Sequence, residues 1–171
     1  SSKNISFNYK YPDRNAVEKY RKKYYYMFHN PCALIKTSFG CPYNCSFCFC
    51  KEITDGKYFT RPMDDIIEEL LSIKEDEVYI VDDDFLYDRN KLNNFIAGIK
   101  ENNIKKKFLV YGRADFIAAN KDIIAELKTI GLQAVIVGIE SVRAGDLKDY
   151  NKGTTVDINE NCIKILQELN I

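Results

Sequence analysis

Apolar residues fall into two alternating patterns along most of the chain, and together they predict an α/β fold. Four short apolar runs read as strands: residues 33–37, opening with Ala33-Leu34-Ile35, then 78–81, 108–111 and 134–139. Runs with no polar alternation suit strands covered on both faces. Helical spacing separates them. Met63, Ile66, Ile67, Leu70 and Leu71 recur at i, i+3, i+4, i+7 and i+8, behind Pro62 and with Asp64 and Asp65 in the first turn, which predicts a helix over 62–73. Leu92, Phe95, Ile96 and Ile99 mark a second helix. Ile123, Ile124, Leu127 and Ile130 mark a third, with Asn120 as its cap and Gly131 as its stop. Ile158, Cys162, Ile165 and Leu169 mark a fourth, with Asp157 and Glu160 at capping-box spacing. Cys162 on that face reads as packing.

Strands joined by helical crossovers are parallel, because a chain returning to the same edge must cross over. The pattern by itself leaves a barrel and an open doubly wound sheet both open. No glycine-rich phosphate fingerprint follows any strand, which weakens the dinucleotide-binding version. Residues 1–32 are rich in tyrosine and charge and read as a lead-in, with a short helix from Pro12-Asp13 through Tyr20; the core spans 33–171. Tyr24-Tyr25-Tyr26 reads as packing rather than a stacking platform for bases, since no basic groove accompanies it.

Composition narrows the class. At 171 residues the chain is one domain by length and large enough to bury roughly 70% of its unfolded surface. Lys+Arg and Asp+Glu both number 25, so no net field draws nucleic acid or an anionic membrane, and a nucleic-acid partner is not expected. No apolar segment approaches membrane-spanning length, and the N-terminus is polar, so the expectation is a soluble cytoplasmic protein. Four of the six cysteines lie between positions 41 and 50, too clustered for a disulfide framework.

That cluster brings in chemistry. Cys41, Cys45 and Cys48 stand in C-x3-C-x2-C spacing in one loop after the first strand. Thiolates hold [4Fe–4S] clusters, usually four to a cluster, so three leave one iron open for a ligand. Cys50, Cys32 and His29 also allow a closed zinc site to be drawn. Spacing alone does not separate the two metals. The lack of a second C-x2-C knuckle and the place of the loop at a strand end favour iron and sulfide. His29, the only histidine, is left outside the site.

The other strand ends are polar too. Asp82, Asp83 and Asp84 follow the second strand, Arg113 and Asp115 the third, Glu140 and Ser141 the fourth. Singly, each has an ordinary reading: helix-capping acids, a surface ion pair for Arg113, Arg143 as a partner for Glu140. Taken together, the three aspartates suit a cationic ligand. Lys152 is assigned no role.

Gly40-Cys41-Pro42-Tyr43-Asn44-Cys45-Ser46-Phe47-Cys48 resembles the signature of the radical S-adenosylmethionine (radical SAM) enzymes. The resemblance continues through Val81-Asp82-Asp83-Asp84-Phe85, Gly112-Arg113-Ala114-Asp115 and Val137-Gly138-Ile139-Glu140-Ser141, and is greatest to the branch that often carries a cobalamin-binding domain. It implies a partial (β/α) barrel, with about four βα units present of six. The implied cofactors are a [4Fe–4S] cluster on Cys41, Cys45 and Cys48, S-adenosylmethionine, and cobalamin through a domain outside this chain. It implies a reductive cleavage that gives methionine and a 5′-deoxyadenosyl radical. Phe47 then lies against adenine, the acidic run meets the methionine amino group, Arg113 a carboxylate and Glu140 the ribose, with Ser141 a further cofactor-binding residue. The substrate class is a small molecule or peptide, and the electron donor a flavodoxin or ferredoxin. A sulfur-inserting relative is the alternative enzyme, and a zinc-binding interaction module the alternative of another class. The alternation calls for a further strand after Leu169, and Tyr11-Pro12-Asp13-Arg14 resembles the linker after a cobalamin domain, so the chain is expected to be a segment of a larger protein.

Overall fold

Four parallel strands form the frame that carries every candidate residue. The computed structural model describes residues 10–171. Strands β1 (Cys32–Ile35), β4 (Glu77–Ile80), β5 (Lys107–Arg113) and β6 (Leu132–Gly138) lie side by side in that order, each parallel to the next. Ile35, Ile80, Val110 and Val135 are in register; β1 and β4 end at that level, and β5 and β6 run on together to Arg113 and Gly138. A two-stranded antiparallel pair, β2 (Ser38–Phe39) with β3 (Phe59–Thr60), brackets the cysteine loop. Helices are α1 (Cys50–Thr54), α2 (Met63–Ser72), α3 (Arg89–Glu101), α4 (Ala114–Ala119), α5 (Lys121–Thr129), α6 (Ala144–Asp149) and α7 (Val156–Glu168).

The two faces of the sheet differ. Val78, Ile80, Phe108 and Val110 point to one side and pack with Ile66, Leu70, Leu92, Phe95, Ile117, Ile124, Leu127 and Cys162 from five helices. Tyr79, Leu109 and Cys32 point to the other, against Tyr26, Val81, Tyr111, Ala134 and Ile136, and among the described residues no helix joins them. Helices on one face only make a barrel wall, whereas a doubly wound sheet carries them on both. No helix is long and apolar enough to cross a membrane among the described residues.

The predicted elements are all present, with boundaries moved by one to a few residues. Caps differ more. Thr155, not Asp157, caps α7, its hydroxyl accepting from Ile158 N–H. Asn120 does not cap α5; its amide donates to Phe116 C=O and closes α4, while its Oδ1 accepts from Arg89. Elements with no apolar period (β2, β3, α1, α4 and α6) were outside the pattern-based reading, being held by contacts rather than by amphipathic spacing.

The lead-in is a 3₁₀ segment, Arg14–Lys23, capped by Asp13. It sits at the open edge of β1. Arg14 donates to Leu34 C=O and pairs at 2.8 Å with Glu69, a buried carboxylate that Arg61 meets from the other side at 2.6 Å. Arg21 forks onto both oxygens of Glu75. Of the three tyrosines, Tyr26 stacks on Tyr79 while Tyr25 is exposed. His29 is buried beside Glu77, at the start of β4 and so at the opposite end of the strands from the cysteine loop.

Asp82 ties these layers together. Its Oδ1 accepts from the backbone N–H groups of Thr37 and Ser38, and its Oδ2 from both hydroxyls and from Lys91 Nζ at 2.8 Å. Burial alone would raise its pKa, but Lys91 and the hydroxyl donors outweigh burial and hold it below the usual carboxylate range. Removing one partner of such a buried pair costs about 3–5 kcal/mol. Asp82→Ala should therefore lower folding stability by that order in denaturant unfolding, with Lys91 left charged and unpaired; an unchanged midpoint would show that the carboxylate carries little of the fold.

Candidate functional site

The cysteine loop is fastened at both ends. Gly40, at φ +83°, starts it where a side chain would strike the Lys57 carbonyl, so only glycine fits. Asp83 accepts from Gly40 N–H at 2.9 Å and stands 3.4 Å from Lys36 Nζ. On the far side Ser46 N–H donates to Tyr150 C=O and Asn151 donates to Asn44 C=O, binding the loop to the turn after α6. Phe47 meets Tyr150 edge-on at 5.7 Å.

Between these fastenings lies a cavity of about 350 Å³ at the C-terminal ends of the strands. Its walls bring together Cys41, Cys45, Cys48, Phe47, Asp83, Asp84, Arg113 and Glu140, with Cys50, Tyr111, Gly138 and Lys152. Two of the expected residues lie elsewhere. Asp82 is turned into the scaffold, and the Ser141 hydroxyl donates to Asp146 and accepts from Arg143 N–H at the start of α6. Register explains the split in the acidic run: Asp82 and Asp83 bind the cysteine loop and its approach, which leaves Asp84.

Asp84 is buried, yet neither of its oxygens has a hydrogen-bond partner. Burial pushes its pKa up to about 7, against the pull of Arg113 and Lys152. A buried carboxylate left without donors is costly in its charged form, which suits a position reserved for a cationic ligand. Glu140, at φ +61°, pairs with Lys152 at 2.9 Å, while Arg143 turns instead to Asp146. Sequence reasoning passed over Lys152. Its signal was the turn-forming Asn151 and Gly153 on either side, both at positive φ, which aim the lysine back under the strand ends. A Cβ at Gly138 would come within 2.5 Å of Glu140 and 2.8 Å of Lys152, so the bare backbone keeps room for that pair.

Arg113 is fully engaged. It forks onto Asp115, donates to Lys152 C=O, stacks 3.7 Å over the Tyr43 ring, and brings Nη1 to 3.7 Å from Cys45 Sγ. Its charge is thus spent on the turn and on sulfur rather than left free for a carboxylate.

The donor set fits an iron–sulfur cluster. All six cysteines are free, and three open their thiols on one wall. Burial pushes the Cys41 thiol up, so its thiolate needs the positive charge that a coordinated metal supplies. Among the described residues no three His, Cys, Asp or Glu side chains gather as a group to hold a metal ion, and the fit rests on thiol chemistry and the shared cavity.

The model of the radical SAM superfamily matches residues 35–171. The chain belongs to the radical SAM superfamily. Among its relatives is the hopanoid C-3 methylase of Methylococcus capsulatus, 29% identical over 160 residues, which cover 94% of this chain and 31% of that protein. Another is the anaerobic magnesium-protoporphyrin IX monomethyl ester cyclase of Synechocystis, 23% identical over 154 residues, 88% of this chain and 31% of that one. A solved structure of the cobalamin-dependent S-adenosylmethionine radical enzyme OxsB aligns with a TM-score of 0.71 at 20% identity, over 81% of this chain and 22% of that one. Methylornithine synthase, PylB, aligns at 0.60 and 14% identity, over 81% of this chain and 41% of that one. The chain thus spans about a third of the length of these two curated relatives, and the likeness to solved structures supports the partial-barrel fold that the resemblance implied.

Two outcomes follow from this radical SAM site. Cys45→Ala should abolish iron binding on anaerobic reconstitution while Cys50→Ala retains it; equal loss in both would remove the three-ligand assignment. In the metal-free chain, the folded Asp84 carboxyl, near 7, binds more protons than the unfolded one at 3.8, so stability falls as pH rises between about 4 and about 7. Asp84→Asn should remove that slope in thermal unfolding measured across the window.

Proposed function

We propose that this chain is the catalytic domain of an enzyme that cleaves S-adenosylmethionine reductively, within a methyl-transferring, cobalamin-using protein. The observation that carries the reading is the single cavity where three thiols meet an unpartnered buried carboxylate. Cys41, Cys45 and Cys48 would hold the [4Fe–4S] cluster and leave its fourth position to the ligand. When bound, the cluster supplies the electron that breaks the bond from the sulfonium sulfur to the 5′ carbon, leaving methionine and a hydrogen-abstracting carbon radical.

The chain's own residues bind and orient. Asp84 meets the α-ammonium, an interaction strengthened by the lack of competing donors. Lys152 and Glu140 offer opposite charges on the facing wall, the carboxylate toward ribose hydroxyls. The Phe47 ring, half exposed at the rim, covers adenine. Asp82, Asp83 and Arg113 position the loop without touching the ligand. Support for methyl transfer and cobalamin comes from the names of the relatives, a methylase and a cobalamin-dependent enzyme, both far longer than this chain. The cobalamin domain, a flavodoxin- or ferredoxin-type reductant and a cytoplasmic location belong to the same reading, as does the division into a lead-in through residue 32 and a core from 33.

The test is anaerobic reconstitution of the full-length protein with iron and sulfide, then reduction with S-adenosylmethionine present. 5′-Deoxyadenosine and methionine should form; a cluster-loaded protein yielding neither would overturn the reading. One charge-assisted contact contributes roughly 1.5–3 kcal/mol, so Asp84→Ala should weaken S-adenosylmethionine binding by about tenfold to a hundredfold, and Ser141→Ala should leave it unchanged in calorimetric titration.

A further inference from the structure

A column of phenols leads out of the cavity along the helix-free face of the sheet. Tyr111 lines the cavity beside the cysteines. Tyr79 lies below it, ring centroids 5.8 Å apart, and Tyr26 from the lead-in stacks on Tyr79 at 4.5 Å with 29° between the planes. The three rings form one contact chain through Tyr79, and the phenols of Tyr111 and Tyr26 lie close enough to raise its pKa. Burial and the neighbouring phenols push the Tyr79 hydroxyl up, so it stays protonated as a hydrogen donor. Tyr79 is buried, Tyr26 only partly, and Tyr24 and Tyr25 next to it are exposed. Packing alone asks for bulk at these positions, not for three oxidisable rings in successive contact.

We propose that Tyr111, Tyr79 and Tyr26 form a hole-transfer path that carries an oxidising equivalent from the cavity to the protein surface. The inference rests on the reading of the cavity as the seat of a hydrogen-abstracting carbon radical. When such a radical has no substrate C–H bond to attack, it takes the hydrogen atom of the Tyr111 hydroxyl; a C–H bond forms, an O–H bond breaks, and a neutral phenoxyl remains. A phenol gives its hydrogen more readily than an aliphatic carbon, which sets the direction. Tyr79 then passes its hydroxyl hydrogen, proton and electron together, to the Tyr111 oxygen, and Tyr26 does the same for Tyr79. Each transfer breaks one O–H bond and makes one. At Tyr26 a soluble thiol donates the last hydrogen atom, and two such thiyl radicals couple to a disulfide. The path would spare the cavity from covalent damage in unproductive turnovers.

The test avoids enzymatic turnover, so its failure is separate from failure of the cleavage reading. A thiol-reactive ruthenium polypyridyl photo-oxidant is attached to Cys41 in the metal-free chain carrying Cys45→Ser, Cys48→Ser and Cys50→Ser; Cys32 and Cys162 are buried. 3-Aminotyrosine replaces Tyr26 as a radical trap. After flash-quench oxidation, electron paramagnetic resonance should show the aminotyrosyl radical at position 26, and Tyr79→Phe, which keeps the stacked ring but removes the hydroxyl, should reduce that signal to background. No trapped radical at position 26, or the same yield with Tyr79→Phe, overturns the path. Circular dichroism of the Tyr79→Phe chain confirms that the hydroxyl, and not the fold, was tested.

Discussion

The carboxylate of Asp82 is the point on which the site depends. Five donors converge on it: two backbone N–H groups and two hydroxyls from Thr37 and Ser38, and the ammonium of Lys91. Those donors come from the start of the cysteine loop and from α3, while the acceptor stands at the end of β4. A buried charge is tolerable only when its lone pairs are filled, and here filling them joins the strand end, the loop and the crossover helix. The cysteines are placed by that bond network before any ligand arrives.

With Asp82 and Asp83 spent on the scaffold, Asp84 becomes the exception that gives the cavity its chemistry. Three adjacent acids have three different environments because a chain leaving a strand turns each side chain a different way. The first two meet donors from the loop, and the third meets only the walls of the cavity. Lys152 and Glu140 face it across the strand ends and already neutralise each other, so the unmet charge is concentrated at one place. A cationic ligand would find its partner there without displacing any existing bond.

The lead-in contributes more than a connection. Arg14 and Arg21 clamp it to Glu69 and Glu75 at the edge of β1, and Tyr26 reaches under the sheet to Tyr79. β1 is therefore covered on its outer edge by the chain's own residues, whereas β6 pairs with β5 on one side among the described residues. The relatives extend well past the region matched here.

The strands, four main helices and radical SAM membership were legible in the amino-acid order, because apolar period and cysteine spacing are local properties that survive in any context. Three thiols in one loop at a strand end could be read directly, and so could the polar character of the other strand ends. Roles within the site were not legible. Asp82, Asp83 and Asp84 are the same residue in succession, and only the register of β1 against β4 decides which is bonded away and which is left facing the cavity. Lys152 lies 12 residues beyond Glu140, across a short helix with no apolar period, so the pairing comes from the turn at Asn151 and Gly153 and cannot be counted off along the chain. Caps at Thr155 and Asn120 were settled by the same rule. A polar side chain bonds whichever unsatisfied group the fold brings within reach, and the fold, not the neighbouring sequence, chooses that group.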